Sequence, residues 1–346
     1  VTEQKQFADL VFEGGGVKGI GLAGAYAALE QRGFAPQRVA GTSAGAITAA
    51  LVAAGYSSAE LDGILLELPF AEFKDEGLLD KFPLGRLASL VRERGIYEGA
   101  YLERWMTELL EAKGITKFGQ LVDDDAGDAA QRYRLRVIAS DLTHRRMLVL
   151  PDDADHLGIE PDELEIARAV RMSMSIPIFF EPVVHTDAAT GEEHVIVDGG
   201  LLSNFPVWLF DREGAEPRWP TFGLRLVEPE PSKPIGHRLP GEEDGVQRGS
   251  LLDFLKSIVA TAMEAHDRLY LEQATYARTI PIPTLGVGTT EFEITDERRD
   301  ALYDAGHKAA SDFLDGWDFD AYVAEFRRGK EHSRRGALVA GLQPQP

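Results

Sequence analysis

Ser43 stands between two glycines in the run GTSAG, residues 41–45, with an apolar lead-in and a helix-forming stretch behind it. A serine hydroxyl is a weak nucleophile that needs exposure, a base and donors for the oxyanion it creates. A G-x-S-x-G turn between a strand and a helix supplies the exposure, because its crowded backbone admits only small neighbours. Thr42 and Ala44 flank the serine, and Gly41 and Gly45 remove Cβ clashes. The same pattern also arises where a small residue fills a tight turn, so the motif alone leaves both roles open.

A second glycine turn, EGGGVKGIG at 13–21, precedes it. Gly14, Gly16 and Gly19 fit G-x-G-x-x-G, a dinucleotide-binding pattern. That fold expects a ribose-binding acid about 20 residues on, at the end of the second strand, and this strand ends at Gly41-Thr42-Ser43 instead. A P-loop is excluded, because Lys18 is followed by Gly19 and not by Ser or Thr. Successive glycine N–H groups at a helix N-terminus make an anion nest. Set beside Ser43, a nest of Gly14, Gly15 and Gly16 is an oxyanion hole.

The usual base is histidine. Of the eight present, His194 lies just before a strand leading to Asp198, and His185 and His144 are weaker candidates. None stands at a glycine-flanked strand end. Asp198 does: VIVDGGLLSNFP delivers a carboxylate at the end of an apolar strand and frees the backbone at once through Gly199 and Gly200. Functional groups of open α/β sheets gather at the carboxyl ends of strands, although aspartate in a turn is also common. A carboxyl group with a reference pKa of about 3.9 suits neutral pH poorly, and burial would raise it. Asp141, in IASDLTH, also ends a strand and reads as structural.

The elements that must position these residues alternate. A strand at Leu10–Phe12, the glycine turn, a helix to Gln31 and a strand at Arg38–Ala40 lead to the Ser43 turn and a helix over 44–54. Strand, turn, helix, repeated, implies a parallel sheet covered by helices. Ser57 and Glu60 form a capping box for the next helix. Residues 69–97 mix phenylalanines and leucines with charges, and read as a cap over an apolar pocket or as an ordinary helical connection. GAYLERWMTELLEAKG (99–114) is helical, with Leu102, Trp105, Met106, Leu109 and Leu110 on its apolar face. YRLRVIASDL and MLVLP read as neighbouring strands, ELEIARAVRMSMSIP as a helix broken before Pro177, and TFGLRLV as a strand. Helices are expected over 250–275 and 296–314, and a surface loop over 228–249.

The chain has 346 residues, of which 44% are hydrophobic, so a sizeable core is available. With no cysteine, disulfides and thiolate chemistry are excluded. The net charge of −21 disfavours nucleic acid. No run is long enough to span a bilayer, and VTEQKQFADL lacks a signal-peptide core, so a cytoplasmic location is expected. Residues 123–128, DDDAGD, fail the calcium-loop spacing because position five is glycine; no metal and no cofactor are expected.

Together, EGGGVKG (13–19), GTSAG (41–45) and DGG (198–200) resemble the patatin-like phospholipase family, acyl hydrolases with a serine–aspartate dyad. KFGQL, IASDLT, ARAVRMSMSIPIFFEPV and TTEFEIT are similar to segments of its bacterial members, and the resemblance covers about residues 9–315. It implies a three-layer α/β/α fold around a mostly parallel sheet. It makes Ser43 the nucleophile and Asp198 the base, with Gly15, Gly16 and neighbouring Gly14 at the oxyanion hole. Gly19, Gly41, Gly45, Gly199 and Gly200 then flank the motifs. Arg168 and Arg171 fall in a family segment near the site, or on a helix surface. Glu13 departs from the family's usual Asp or Gly, with little consequence expected. The domain is expected over 1–319 with a peripheral tail over 320–346. A lipid or other ester is the implied substrate. Separately, the basic cluster Arg327, Arg328, Lys330, Arg334 and Arg335 reads as solvated, with transient membrane contact at lipid headgroups as the alternative. A soluble esterase or thioesterase, and a non-catalytic lipid-binding module, are the alternatives.

Overall fold

The structure, a computed structural model, describes residues 6–66, 99–123, 131–212, 216–228, 273–289, 291 and 294–328. The strands are β1 (Gln6–Phe12), β2 (Phe34–Thr42), β3 (Leu135–Asp141), β4 (Arg146–Leu150), β5 (Val183–Thr186), β6 (Glu193–Asp198), β7 (Thr221–Val227) and β8 (Thr279–Pro283). The helices are α1 (Ile20–Gln31), α2 (Ala44–Ala53), α3 (Ser58–Leu66), α4 (Ala100–Ala112), α5 (Ile166–Ser173), α6 (Gln273–Tyr276), α7 (Asp296–Gly316) and α8 (Phe319–Phe326). The capping box before α3 is formed: Ser57 N donates to Glu60 Oε2 at 2.8 Å and Glu60 N to Ser57 Oγ at 3.3 Å. The expected cap at 69–97, nearly all of the 228–249 loop and most of the 250–275 helix lie outside the described residues.

The strands form one mixed, mostly parallel sheet flanked by helices, an α/β fold. β1 lies between β2 and β7, β2 reaches β3, and β7 reaches β8, all in parallel. β3 pairs antiparallel with β4 and β6, and β5 antiparallel with β6. The register around β3 matters most. β2 pairs with it from Val39↔Leu135 to Thr42↔Ile138. β6 takes the next residues in the opposite direction, with Ile196↔Asp141 and Asp198↔Ala139. β4 lies along Val137–Asp141 throughout. A strand has only two hydrogen-bonding edges. β4 fills one, so β2 and β6 share the other. They run toward each other and end at adjacent β3 residues.

Alternation divides β1 and β2 between two faces. Leu10, Phe12 and Val39 join the main core with α1 and α2, whereas Val11 and Ala40 join Phe205, Val207 and Phe210. Ile20–Leu29 of α1 and all of α2 are buried, as expected for helices apolar on every side. α4 instead buries one stripe, Leu102, Met106 and Leu110. α7 crosses α1 at backbone contact: a Cβ on Gly24 would lie 2.0 Å from Tyr303 O, and one on Gly306 1.9 Å from Gly21 O.

α8 begins where the sequence suggests a peripheral tail, and its Tyr322 and Val323 are buried. Arg327, read from sequence as part of a solvated basic cluster, turns inward. It donates to Asp211 Oδ1 at 2.7 Å, and Arg278 grips the same carboxylate at 2.6 and 2.8 Å. Burial works to raise the Asp211 pKa, and the two guanidiniums overcome it and hold it below the usual range. Arg328 stays at the surface beside Glu216.

Backbone contact between α1 and α7 leaves no room for a methyl group. Gly24→Ala should cost at least about 2 kcal/mol in urea unfolding. Gly63→Ala, at an exposed position of α3 with nothing within 4 Å of its Cβ, should gain about 0.5–1 kcal/mol. Equal effects at the two sites would contradict the close crossing.

Candidate active site

Ser43 has φ 54° and ψ −129°, a conformation that L-residues avoid. Such a residue costs about 1–3 kcal/mol and persists only where its surroundings fix it. Here they do. A Cβ on Gly45 would meet Phe12 O at 2.3 Å, and one on Gly41 would meet Gly45 O at 2.2 Å, so β1 and β2 press directly on the start of α2. Ser43 N donates to Ser173 Oγ at 2.9 Å, and Ser43 O accepts from Ala46 N at 2.8 Å. The serine is 1% exposed, and its Oγ donates to Met174 Sδ at 3.6 Å.

Asp198 ends β6 with no exposed surface. Its N–H donates to Ser175 O at 2.9 Å, and its Oδ1 accepts from Gly200 N at 2.7 Å. Oδ2 has no partner among the described residues. Burial pushes the carboxyl up to about 7, with the nearby Ser43 hydroxyl and the Gly200 N–H offsetting part of the rise. Although that hydroxyl is close enough to act on the carboxyl, its hydrogen bond in this conformation goes to Met174. Gly199 is required where the chain leaves β6 against β3, because a Cβ there would sit 2.2 Å from Ile138 O.

The glycine loop lies beside this pair: a Cβ on Gly14 would be 3.0 Å from Ser43 Cβ. The structure corrects the sequence reading of Gly14. Its N–H is donated to Asn204 O at 3.2 Å while Asn204 Nδ2 donates to Gly14 O at 2.9 Å, so that N–H is spent. Among the described residues, the N–H groups of Gly15 and Gly16 meet no acceptor. Gly16 has φ 56°, and Val17 N pins the turn to Thr289 O at 3.2 Å. Gly19 opens the way into α1, where its Cβ position is only 3.4 Å from Ala44 Cβ. Glu13 is buried, accepts from Leu226 N and lies 3.6 Å from Arg225 Nε, so it ties the loop to β7.

The histidines lie elsewhere. His144 and His194 point Nδ1 at Asp141 Oδ2, at 2.8 and 3.1 Å. His185 bonds to Leu157 O and His307 to Gln31. No described histidine bonds to Ser43 or Asp198. Burial works to raise the Asp141 pKa, but the bonds from His194 and His144 hold it low. Asp141, His144 and His194 are the one group among the described residues whose donor atoms gather as metal ligands do, within 4.8 Å. They are already joined by hydrogen bonds, and Arg146 Nε lies 3.9 Å from the same carboxylate.

Local sequence did not reveal the outer supports. Asn204 holds the glycine loop from 190 residues away, and Thr42 Oγ1 donates to Ser203 O at 3.1 Å. Arg171 is buried and donates to Ser175 Oγ and Glu181 O, while Arg168 stays at the surface with Glu103 at 3.2 Å.

The family model for patatin-like phospholipases matches residues 10–211. The chain is 40% identical to the uncharacterized protein YqhO of Bacillus subtilis over 320 residues, which span 90% of this chain and all of that one. VipD from Legionella pneumophila aligns with 90% of this chain and 67% of its own, at 18% identity and a TM-score of 0.49. ExoU of Pseudomonas aeruginosa, solved in complex with SpcU, aligns with 90% of this chain and 53% of its own, at 19% identity and a TM-score of 0.47. The chain belongs to the patatin-like phospholipase family, and its activity is in general terms that of a lipid hydrolase. No helix of the described residues is long and apolar enough to cross a membrane.

The raised Asp198 pKa has a consequence for stability. Because the native value lies above the unfolded one, the protonated form favours folding, and stability is lost as pH rises from about 4 through about 7. Asp198→Asn removes that loss. Its stability relative to wild type should grow by about 2–3 kcal/mol between pH 5 and pH 8 in urea unfolding. A difference independent of pH would rule out the raised value.

Proposed function

We propose that the protein is a serine-dependent lipid acyl hydrolase of the phospholipase A type. Ser43 is the nucleophile, Asp198 the base, and the Gly15 and Gly16 N–H groups the oxyanion donors. The observation that carries this reading is the meeting of β2 and β6 on one edge of β3. It brings a strained serine near a buried carboxylate whose Oδ2 has no hydrogen-bond partner among the described residues.

In the first half-reaction the Ser43 hydroxyl turns from Met174 to Asp198 Oδ2 and gives up its proton as Oγ attacks the ester carbonyl. The tetrahedral oxyanion lies against the glycine N–H groups; one such donor is typically worth about 3–4 kcal/mol. Asp198 returns the proton to the leaving alcohol, and the acyl group stays on Ser43. In the second half Asp198 takes a proton from water as its oxygen attacks the acyl carbon. The bond from that carbon to Ser43 Oγ then breaks, Asp198 returns the proton to Oγ, and the fatty acid leaves. An aspartate with its pKa near 7 is matched to this work at neutral pH. A small, mostly apolar cavity of about 20 Å³ adjoins the glycine loop, lined by Gly16, Gly19, Ile20, Ala44, Ile47, Thr48 and Leu65. Its apolar lining beside the reacting carbonyl favours an ester with a hydrocarbon chain over a polar one.

Wild type should release free fatty acid and lysolipid from mixed phospholipid and neutral-lipid micelles, read by mass spectrometry. Ser43→Ala and Asp198→Asn should each lose at least about 10³-fold in kcat while remaining folded. Wild-type turnover by Asp198→Asn would dismiss the dyad. In the wild type kcat/KM should rise with pH through about 7, where the base ionises; a profile flat from pH 5 to 8 would speak against Asp198 as that base.

A further inference from the structure

Three consecutive residues at the end of α5 reach both halves of the candidate dyad. Ser173 Oγ accepts from Ser43 N at 2.9 Å, Met174 Sδ accepts from Ser43 Oγ at 3.6 Å, and Ser175 O accepts from Asp198 N at 2.9 Å. Ser173 and Ser175 have no exposed surface. The segment is itself braced, because Ser175 Oγ donates to Arg171 O at 2.9 Å and Arg171 Nη2 donates to Glu181 O at 2.9 Å. The helix ends here, with Met174 N still bonded to Val170 O at 2.9 Å, and Pro177 follows three residues on. The break turns the last side chain and the next carbonyl to separate partners.

We propose that Ser173 is a positioning residue for the hydrolytic reaction. Its hydroxyl oxygen holds the Ser43 N–H and thereby keeps the nucleophile in its positive-φ conformation. The Ser175 carbonyl holds Asp198 from the same short segment. The inference rests on the Ser43–Asp198 reading above. β3 brings the two strand ends together, but it pairs with Thr42 and Asp198, not with Ser43. Past Thr42 the serine needs its own anchor. A buried N–H left without an acceptor is costly, so removing the Ser173 oxygen frees the turn to relax to ordinary dihedrals and takes Oγ out of line. Met174 completes the device as a weak acceptor that holds the resting hydroxyl until substrate draws it to Asp198.

The test uses a fluorophosphonate ester that phosphonylates an activated serine, so that nucleophile reactivity is read apart from lipid binding, together with turnover of a soluble p-nitrophenyl acyl ester. Ser173→Ala should slow labelling of Ser43 and lower kcat by roughly 10- to 100-fold. KM should stay within about two-fold and the acid limb of the pH profile should not move, because that limb belongs to Asp198. Ser173→Thr, which keeps the oxygen, should recover most of the labelling rate. Should Ser173→Ala fail to fold, Ser173→Cys takes its place, since sulfur is a weak acceptor, and it should label about ten-fold or more slower than Ser173→Thr. Ser173→Ala labelling at the wild-type rate, or Thr and Cys variants labelling alike, would overturn the proposal alone. A wild type in which Ser43 is never labelled would overturn the nucleophile assignment and this proposal with it.

Discussion

The structure around the candidate site depends on one shared strand edge. β3 gives the lower part of that edge to β2 and the upper part to β6, and the handover falls between Ile138 and Ala139. Two chain segments more than 150 residues apart in sequence thus end face to face, with their final directions fixed by backbone hydrogen bonds. Most other features of the site follow from the crowding this produces. β2 must turn sharply after Thr42, which drives Ser43 into its strained conformation. β6 must leave the sheet through Gly199, and the glycine loop at the end of β1 is pressed against Thr42 and Ser43.

What was legible in the sequence is what this crowding demands locally. Gly41, Gly45 and Gly199 are glycines because a Cβ would strike a backbone atom at 2.2–2.3 Å, and Gly16 takes a positive φ. Such constraints leave a mark within a few residues, so the elbow, the loop and the Asp-Gly-Gly turn stood out, as did the alternation of strands and helices. Ser173, Ser175 and Asn204 left no such mark. They act through hydrogen bonds to partners distant in the chain, and a serine in a helix end or an asparagine in a turn looks ordinary. Gly14 shows the same limit from the other side. It matches a motif, yet its N–H goes to a partner 190 residues on. Arg327 sits in a basic run that reads as solvated, and only the buried Asp211 explains why it turns inward.

Electrostatics divides the molecule into two regimes. Asp198 is buried without a cation, and its carboxyl is pushed toward neutrality. Asp9, Asp141 and Asp211 are buried with partners: Arg38 at 3.0 Å, two histidines, and two arginines. Burial desolvates all four: hydrogen bonds and charged partners hold Asp141 and Asp211 low, whereas Asp9 stays raised in spite of Arg38, and Asp198 is raised with no cation beside it. The absence of a counter-charge at Asp198 is what makes a carboxyl group suitable for moving protons near pH 7.

The clasp on Asp211 bears on how the chain is divided. The family match ends at this residue, yet Arg278 and Arg327, which hold it, both lie beyond the match. So do β7, which pairs with the inner strand β1, and α7, which covers α1. A fragment cut at residue 211 would leave β1 with a bare edge, α1 with an uncovered glycine face and a buried aspartate with no cation. The family match therefore ends short of the span that can fold, and β7, β8, α7 and α8 are part of the scaffold, not an appendage to it.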